Sequence, residues 1–288
     1  MLDDKTLLIT GVVNADSIAF AIARRARALG AHVALSAPPR DLERAEAAAE
    51  LLACDVLTLD VNDPAGWASV EADLRRRWGR LDGAVHAVAY APQDALDGDF
   101  LSFRPDGLNL AFHTSVTSYA SLAALVAHLA PPSGGSVVGL DFDPSAAWPT
   151  YNWMGVCKAA LEAASRYVAR DLGPAGIRSN LVAAGPLVTR AASAIPGFDR
   201  LLDAWDRQSP LPWEPTDPEP VADAACFLLS DLARAISGEV LHVDGGFHAM
   251  AADLRQPESV AAGDRPLAAG AGAARPSASE SAPAAVAG

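Results

Sequence analysis

The sequence predicts a doubly wound, Rossmann-like α/β fold: seven mostly parallel strands with helices on both faces. Short apolar runs alternate with helix-spaced segments through about the first 250 residues, the pattern of successive βαβ units. The apolar runs are continuous rather than alternating, as strands covered on both faces require. The first of them ends in a glycine that leads into a helix, the layout of a ligand-binding turn.

Leu7-Leu8-Ile9-Thr10-Gly11 reads as the first strand. Residues 17–29 form a helix, with Ile18, Ala21, Ile22 and Ala26 on one face and Gly30 closing it. His32 to Ser36 is a second strand, 41–52 an Ala- and Glu-rich helix, and Val56 to Asp60 a third strand. Asn62 or Asp63 can cap the next helix, which has Pro64 in its first turn and runs to Trp78. Ala84 to Val88 is the fourth strand, 108–129 a long helix, and Ser136 to Leu140 the fifth strand. A helix from Tyr151 to Leu172, a strand at 177–182 and a last strand at 239–243 complete the series. Gly11, Asp60, Val88, Asp141 and Gly185 all fall at or just past strand ends, where such folds bind ligands. Residues 1–250 are expected to form one domain. The Ala-, Pro-, Gly- and Ser-rich residues 251–288 are expected to be a disordered tail without chemistry.

A net charge of −13 argues against nucleic acid and against an anionic membrane as partner, since phosphate contacts need clustered Lys and Arg. Cys54, Cys157 and Cys226 are too scattered for disulfides or structural zinc, which fits a reduced cytoplasmic setting. The six histidines have no ligand spacing, so no metal is expected. The acidic start is no signal peptide, and no apolar stretch reads as membrane-spanning.

Tyr151 and Lys158 are seven residues apart, close to two turns of a helix, so both side chains project from one face. A phenol can donate to a developing oxyanion, and an ammonium two turns on can lower its pKa and hold a sugar hydroxyl. The pair points to reductive chemistry on a carbonyl or conjugated carbonyl beside a ribose-bearing cofactor. The bland alternative is a half-buried Tyr and a solvated Lys. The first turn has only Gly11 of the usual glycine fingerprint, but Ser17 stands at a helix start able to take a phosphate.

Gly11-x6-Ile18-Ala19, Asp60-Val61, Asp141-Phe142-Asp143-Pro144-Ser145, Tyr151-Asn152-Trp153-Met154-x3-Lys158, Arg178 to Pro186 and Asp244-Gly245-Gly246 together carry a resemblance. The chain resembles the NADH-dependent enoyl-acyl-carrier-protein reductases, a divergent branch of the short-chain dehydrogenases/reductases. It is most similar to the actinobacterial InhA-type members, over roughly residues 3–248. The Tyr-x6-Lys spacing distinguishes that branch from the Tyr-x3-Lys of ordinary short-chain dehydrogenases.

The resemblance implies that Tyr151 hydrogen-bonds the thioester carbonyl of the substrate and stabilises its enolate. It implies that Lys158 holds the nicotinamide ribose and that Phe142 lies beside the substrate. It places Gly11, Ser17 and Ile18 at the pyrophosphate, Asp60 and Val61 at the adenine, and Val88 and Ala89 along the cofactor. Leu187 and Thr189 fall at its nicotinamide and phosphate end. It also implies a homotetramer, packed partly through the helices near 108–129 and 151–172.

Departures concern Ala87, Ala89, Val188 and the stretch Ser36-Ala37-Pro38-Pro39-Arg40. That stretch has Pro38 in place of an adenine-flanking aromatic and lacks a carboxylate for the ribose 2′-hydroxyl. NADH is implied by resemblance, while Ser36 and Arg40 leave NADPH open. The leading reading is an enoyl thioester reductase of type II fatty-acid synthesis. A reductase tailoring a polyketide or other secondary metabolite, and a non-catalytic dinucleotide-binding regulatory protein, stand as alternatives.

The segment from Arg190 to Phe198 leads almost directly to Leu201, shorter than the substrate-binding helix and loop of the InhA type. A shorter lid gives a shallower acyl slot, so short or medium acyl chains should be preferred. Initial rates across enoyl chain lengths check this, and comparable turnover of very long and short thioesters would overturn it.

Overall fold

The computed structural model of the chain describes residues 1–253, so residues 254–288 of the expected tail lie outside the described residues. The strands are β1 (Thr6–Thr10), β2 (His32–Ala37), β3 (Asp55–Thr58), β4 (Gly83–His86), β5 (Gly135–Asp141), β6 (Ile177–Ala184) and β7 (Val240–Val243). They form one seven-stranded sheet in the order β3-β2-β1-β4-β5-β6-β7, with every pairing parallel. The order reverses between β1 and β4, which opens a crevice at their carboxyl ends.

The helices are α1 (Ile18–Ala28), α2 (Leu42–Leu52), α3 (Pro64–Trp78), α4 (Gln93–Leu96), α5 (Pro105–Phe112), α6 (Ser118–Leu129), α7 (Asn152–Leu172), α8 (Phe198–Gln208) and α9 (Glu219–Leu229). Each expected strand and helix is present, with ends displaced by a few residues. Asp63, not Asn62, caps α3, by accepting a hydrogen bond from the Ala65 amide. The long helix expected at 108–129 is longer and interrupted: between α5 and α6 the chain makes a π-helical turn, His113–Thr117.

Helix α9, not anticipated, makes the crossover from β6 to β7. Val221, Ala222, Ala225, Cys226, Leu228 and Leu229 recur at helical spacing and are buried. The larger of these side chains contribute about 1.5–3 kcal/mol each on burial. They join β1, α1 and α2 in the core on one face of the sheet. On the other face α3, α6 and α7 pack around Leu74, Tyr119, Leu122, Val126 and Leu161. Only the central strands are covered along their whole length. The edge strands β3 and β7 are partly exposed.

The run Pro105–Leu129 is long and apolar enough by length and composition to span a membrane, contrary to the expectation that no stretch is. Its apolarity is accounted for by the core, since α6 buries Tyr119, Leu122, Leu125, Val126 and Leu129 within this fold. The three cysteines are free, and Cys157 and Cys226 are buried packing residues.

The turns that lead into the parallel strands β5 and β6 meet at two glycines in contact. Gly134 has φ +89°, and a Cβ there would lie 2.1 Å from the Gly176 carbonyl oxygen. Neither the left-handed conformation nor the clash with backbone can relax cheaply. Gly134→Ala should lower unfolding free energy by about 2 kcal/mol or more in denaturant titration, and an unchanged midpoint would contradict this packing.

Candidate active site

The cleft at the carboxyl ends of β1, β2, β4, β5 and β6 has a volume of about 480 Å³. The structure brings together on its walls every residue singled out in the sequence: Gly11, Ser17, Ile18, Asp60, Val61, Val88, Ala89, Phe142, Tyr151, Lys158, Leu187 and Thr189. Asp141 and Gly185 line it too.

Gly11 ends β1 with φ +79°, and a Cβ there would meet the Ala87 carbonyl oxygen at 2.1 Å. Only glycine allows β1 and the loop after β4 to approach this closely. Ser17 caps α1: its hydroxyl accepts from the Phe20 amide at 3.2 Å and donates to the Asn14 carbonyl at 2.8 Å. The first amides of α1, at Ile18 and Ala19, are the free donors that a helix start leaves, and both residues face the cleft.

Asp60 accepts from the backbone and side-chain nitrogens of Asn62 at 3.0 and 3.2 Å. Asn62 Oδ1 in turn accepts from the Thr114 hydroxyl at 3.0 Å and lies 2.8 Å from His113 Nδ1. This chain fastens the end of β3 to the π-helical turn. Ser115, in the same turn, accepts from the Tyr90 amide at 3.1 Å and so fixes the loop that follows β4. His113 and Ser115 are structural, and Thr114 is the residue of this turn that reaches the cleft.

Gly185 sits against the indoles of Trp205 and Trp213, with no room for a Cβ. Trp213 donates to the Pro186 carbonyl at 2.8 Å and the Val188 amide donates to Pro215 at 2.8 Å, which locks Leu187 in the wall. Thr189 Oγ1 accepts from the Ala192 amide at 3.1 Å.

Tyr151 is not inside a helix, as its spacing had implied. It is the residue before α7, with φ −134°, and Asn152 takes φ +26°. Lys158 lies two turns into α7. The two still converge, because the turn at Asn152 swings the phenol over the cleft. The Tyr151 ring packs against Phe142 with centroids 5.0 Å apart, among Ala111, Val116, Met154 and Cys157. Phe142 also meets Trp148 at 5.0 Å and Trp205 at 5.7 Å, and Trp205 stacks on Phe247 at 3.8 Å.

The Lys158 ammonium is buried and donates to the Leu140 carbonyl at 2.7 Å. Burial lowers its pKa, and Asp141 and Cys157 oppose that. The Tyr151 phenol is not lowered, as a nearby ammonium had suggested. Burial pushes it above its ordinary value, and Asp141 and Cys157 add to the rise. It is therefore a proton-bearing donor, not a phenolate. Burial also raises Asp141 to about 7 against the pull of Lys158. His86, whose Nε2 is 2.7 Å from the Ser118 hydroxyl, is driven to about 3 by burial and by Lys158, and is neutral.

One carboxylate was missed. The short 3-10 turn Pro39–Asp41 after β2 folds Asp41 back onto the cleft, where Arg40 (3.5 Å) and Arg44 pair with it. Its place as first residue of a helix gave no hint of this. Ile195, Phe198 and Leu201, from the segment expected to form a shortened lid, line the cleft together with Met154, and Phe198 and Leu201 belong to helix α8, which was not anticipated.

The family model described as Enoyl-(Acyl carrier protein) reductase matches residues 11–248. The NADH enoyl-[acyl-carrier-protein] reductase of Mycolicibacterium smegmatis is 39% identical over 262 residues, covering 85% of this chain and 97% of that protein. The enzyme of the same name from Aquifex aeolicus is 38% identical, covering 90% of this chain and 96% of the relative. That of Escherichia coli K12 is 39% identical, covering 85% and 95%. The twelve expected residues thus meet in one cleft of a parallel sheet whose sequence matches these enzymes nearly end to end, and the chain belongs to the enoyl-(acyl carrier protein) reductase family.

Proposed function

We propose that this protein reduces the trans-2 double bond of an enoyl-acyl-carrier-protein thioester with NADH, in fatty-acid biosynthesis. The observation that carries the reading is the convergence of a protonated phenol, a buried ammonium and an aromatic ring in one apolar cleft, in a chain of this family.

The residues present fit a dinucleotide. Gly11 permits close backbone approach, and the amides of Ile18 and Ala19 offer a pyrophosphate two donors and the positive end of α1. Val61 is an apolar surface for an adenine, and Asp60 and Asn62 are polar groups at its edge. Asp41 presents a carboxylate beyond β2, chemistry that favours a ribose hydroxyl over a phosphate and so NADH over NADPH. Val88 and Ala89 would lie along a bound cofactor, and Leu187 and Thr189 would hold its nicotinamide end.

When bound, NADH supplies the hydride that reaches the β-carbon of the substrate. Tyr151 donates a hydrogen bond to the thioester oxygen, where negative charge develops, in a site that Phe142 and Met154 keep dry. Lys158 fixes the ribose hydroxyls and adds positive charge beside that oxygen. Residues 1–250 serve as one catalytic domain.

A slot for short or medium acyl chains is supported by Ile195, Phe198 and Leu201, from the short segment after Thr189, lining the cleft itself. A homotetramer is supported by exposed Leu110, Phe112, Val156 and Tyr167 on the α5 and α7 surfaces. The setting proposed is the cytoplasm, which suits three free cysteines.

Oxidation of NADH in the presence of crotonyl thioester tests the reading. The wild type should turn over. Tyr151→Phe should lower kcat by about 10²-fold with substrate affinity kept, as for loss of one oxyanion donor. Lys158→Met should act on NADH, raising its KM at least about 10-fold. NADH binding without turnover of any enoyl thioester, or a fully active Tyr151→Phe protein, would refute it.

A further inference from the structure

Asp141 is a buried carboxylate of the cleft that the proposed chemistry leaves without a task. It ends β5, its side chain is fully buried, and neither carboxylate oxygen has a hydrogen-bond partner. Buried carboxylates without partners are rare, because the group loses its water and gains nothing in return. What stands nearest is a charge: Lys158 Nζ, 4.0 Å from Asp141 Oδ1. The same ammonium donates to the carbonyl of Leu140, the preceding residue of the strand.

We propose that Asp141 is a positioning residue, a buried counter-charge that keeps the Lys158 ammonium charged and in place. The inference rests on the reductase reading of the cleft, which assigns Lys158 and Tyr151 to cofactor and substrate.

The surroundings leave Asp141 this role alone. From α7 it faces Lys158 and, more distantly, Glu162; from the loop just past its own strand come the Phe142 backbone amide, which favours the ionised form, and Asp143, which opposes it. Asp143 has a neighbour of its own, His242 Nε2 at 3.7 Å. From β4 comes His86, which is neutral, and at the start of α7 stands the uncharged phenol of Tyr151. Lys158 is thus the cation Asp141 has to work with, and the two like charges oppose its ionisation. Burial holds the Asp141 carboxyl at about 7, so it ionises close to neutral pH. Once ionised it raises the pKa of Lys158 and of Tyr151 together. Both effects favour the donating forms, an ammonium for the ribose and a phenol for the thioester oxygen.

The test is Asp141→Asn, which keeps shape and removes charge. Without the carboxylate, Lys158 loses its proton at lower pH. The alkaline limb of kcat/KM for NADH should therefore move down by about one pH unit or more. A merely structural role would lower the rate at every pH and leave the limb where it was, and that result would overturn the proposal. Should the variant not fold, the wild-type protein without substrate answers the question by nuclear magnetic resonance. The Asp141 carboxyl carbon should titrate near neutral pH, with a matching displacement at the Lys158 amine. Titration in the ordinary carboxylate range with no response at Lys158 would overturn the proposal. This readout needs no turnover, so failure of the reductase reading and failure of the Asp141 role are distinguishable.

Discussion

The hydrogen bond from the Lys158 ammonium to the Leu140 carbonyl, 2.7 Å long, is the contact on which the site depends. It joins helix α7 to the carboxyl end of β5, and everything nearby takes its position from that joint. Asp141 and Phe142 follow Leu140 directly, and Tyr151 precedes the helix that carries Lys158. A buried ammonium is expensive unless its donors are satisfied. The Leu140 carbonyl takes one donor and the Asp141 carboxylate, 4.0 Å away on the same strand, supplies a counter-charge without a hydrogen bond, which leaves donor capacity for a ligand.

The sheet makes this possible. Parallel register sets the ends of β1, β4, β5 and β6 side by side, so that Gly11, Ala87, Asp141 and Gly185 edge a common crevice. Two of these places accept little beyond what they hold. Gly11 faces the Ala87 carbonyl and Gly185 faces two indoles. The walls are stiffened from behind, by the Asn62 contacts to the π-helical turn and by the stack of Trp205 on Phe247. Such support holds catalytic groups in place without using their own hydrogen-bonding capacity.

Much of this was legible in the sequence because βαβ units have a strong period. The buried strands read as apolar runs, and Gly11, Asp60 and Gly185 fell at strand ends without any structural input. Three things were not legible. Helices α8 and α9 follow Pro- and Gly-containing stretches, where turn signals mask the helical spacing of Leu201 and Trp205 or of Val221 and Ala225. The π-helical turn at His113–Thr117 has no glycine or proline to announce it, and its reason lies in tertiary contacts to Asn62 and Tyr90. The sign of the shift at Tyr151 was misjudged because spacing reports neighbours, whereas burial, the larger cause, depends on what packs around the ring. Asp41 was overlooked for a related reason: its distance from Gly11 along the chain says nothing of the turn that returns it to the cleft.

The most direct test of the account is a structure of the protein with NAD⁺ and an enoyl thioester. The account predicts the thioester oxygen within hydrogen-bond distance of the Tyr151 hydroxyl and a ribose hydroxyl on the Lys158 ammonium, with that ammonium still on the Leu140 carbonyl. A ligand bound with its carbonyl turned away from Tyr151, or a Lys158 side chain swung out of the cleft, would contradict it.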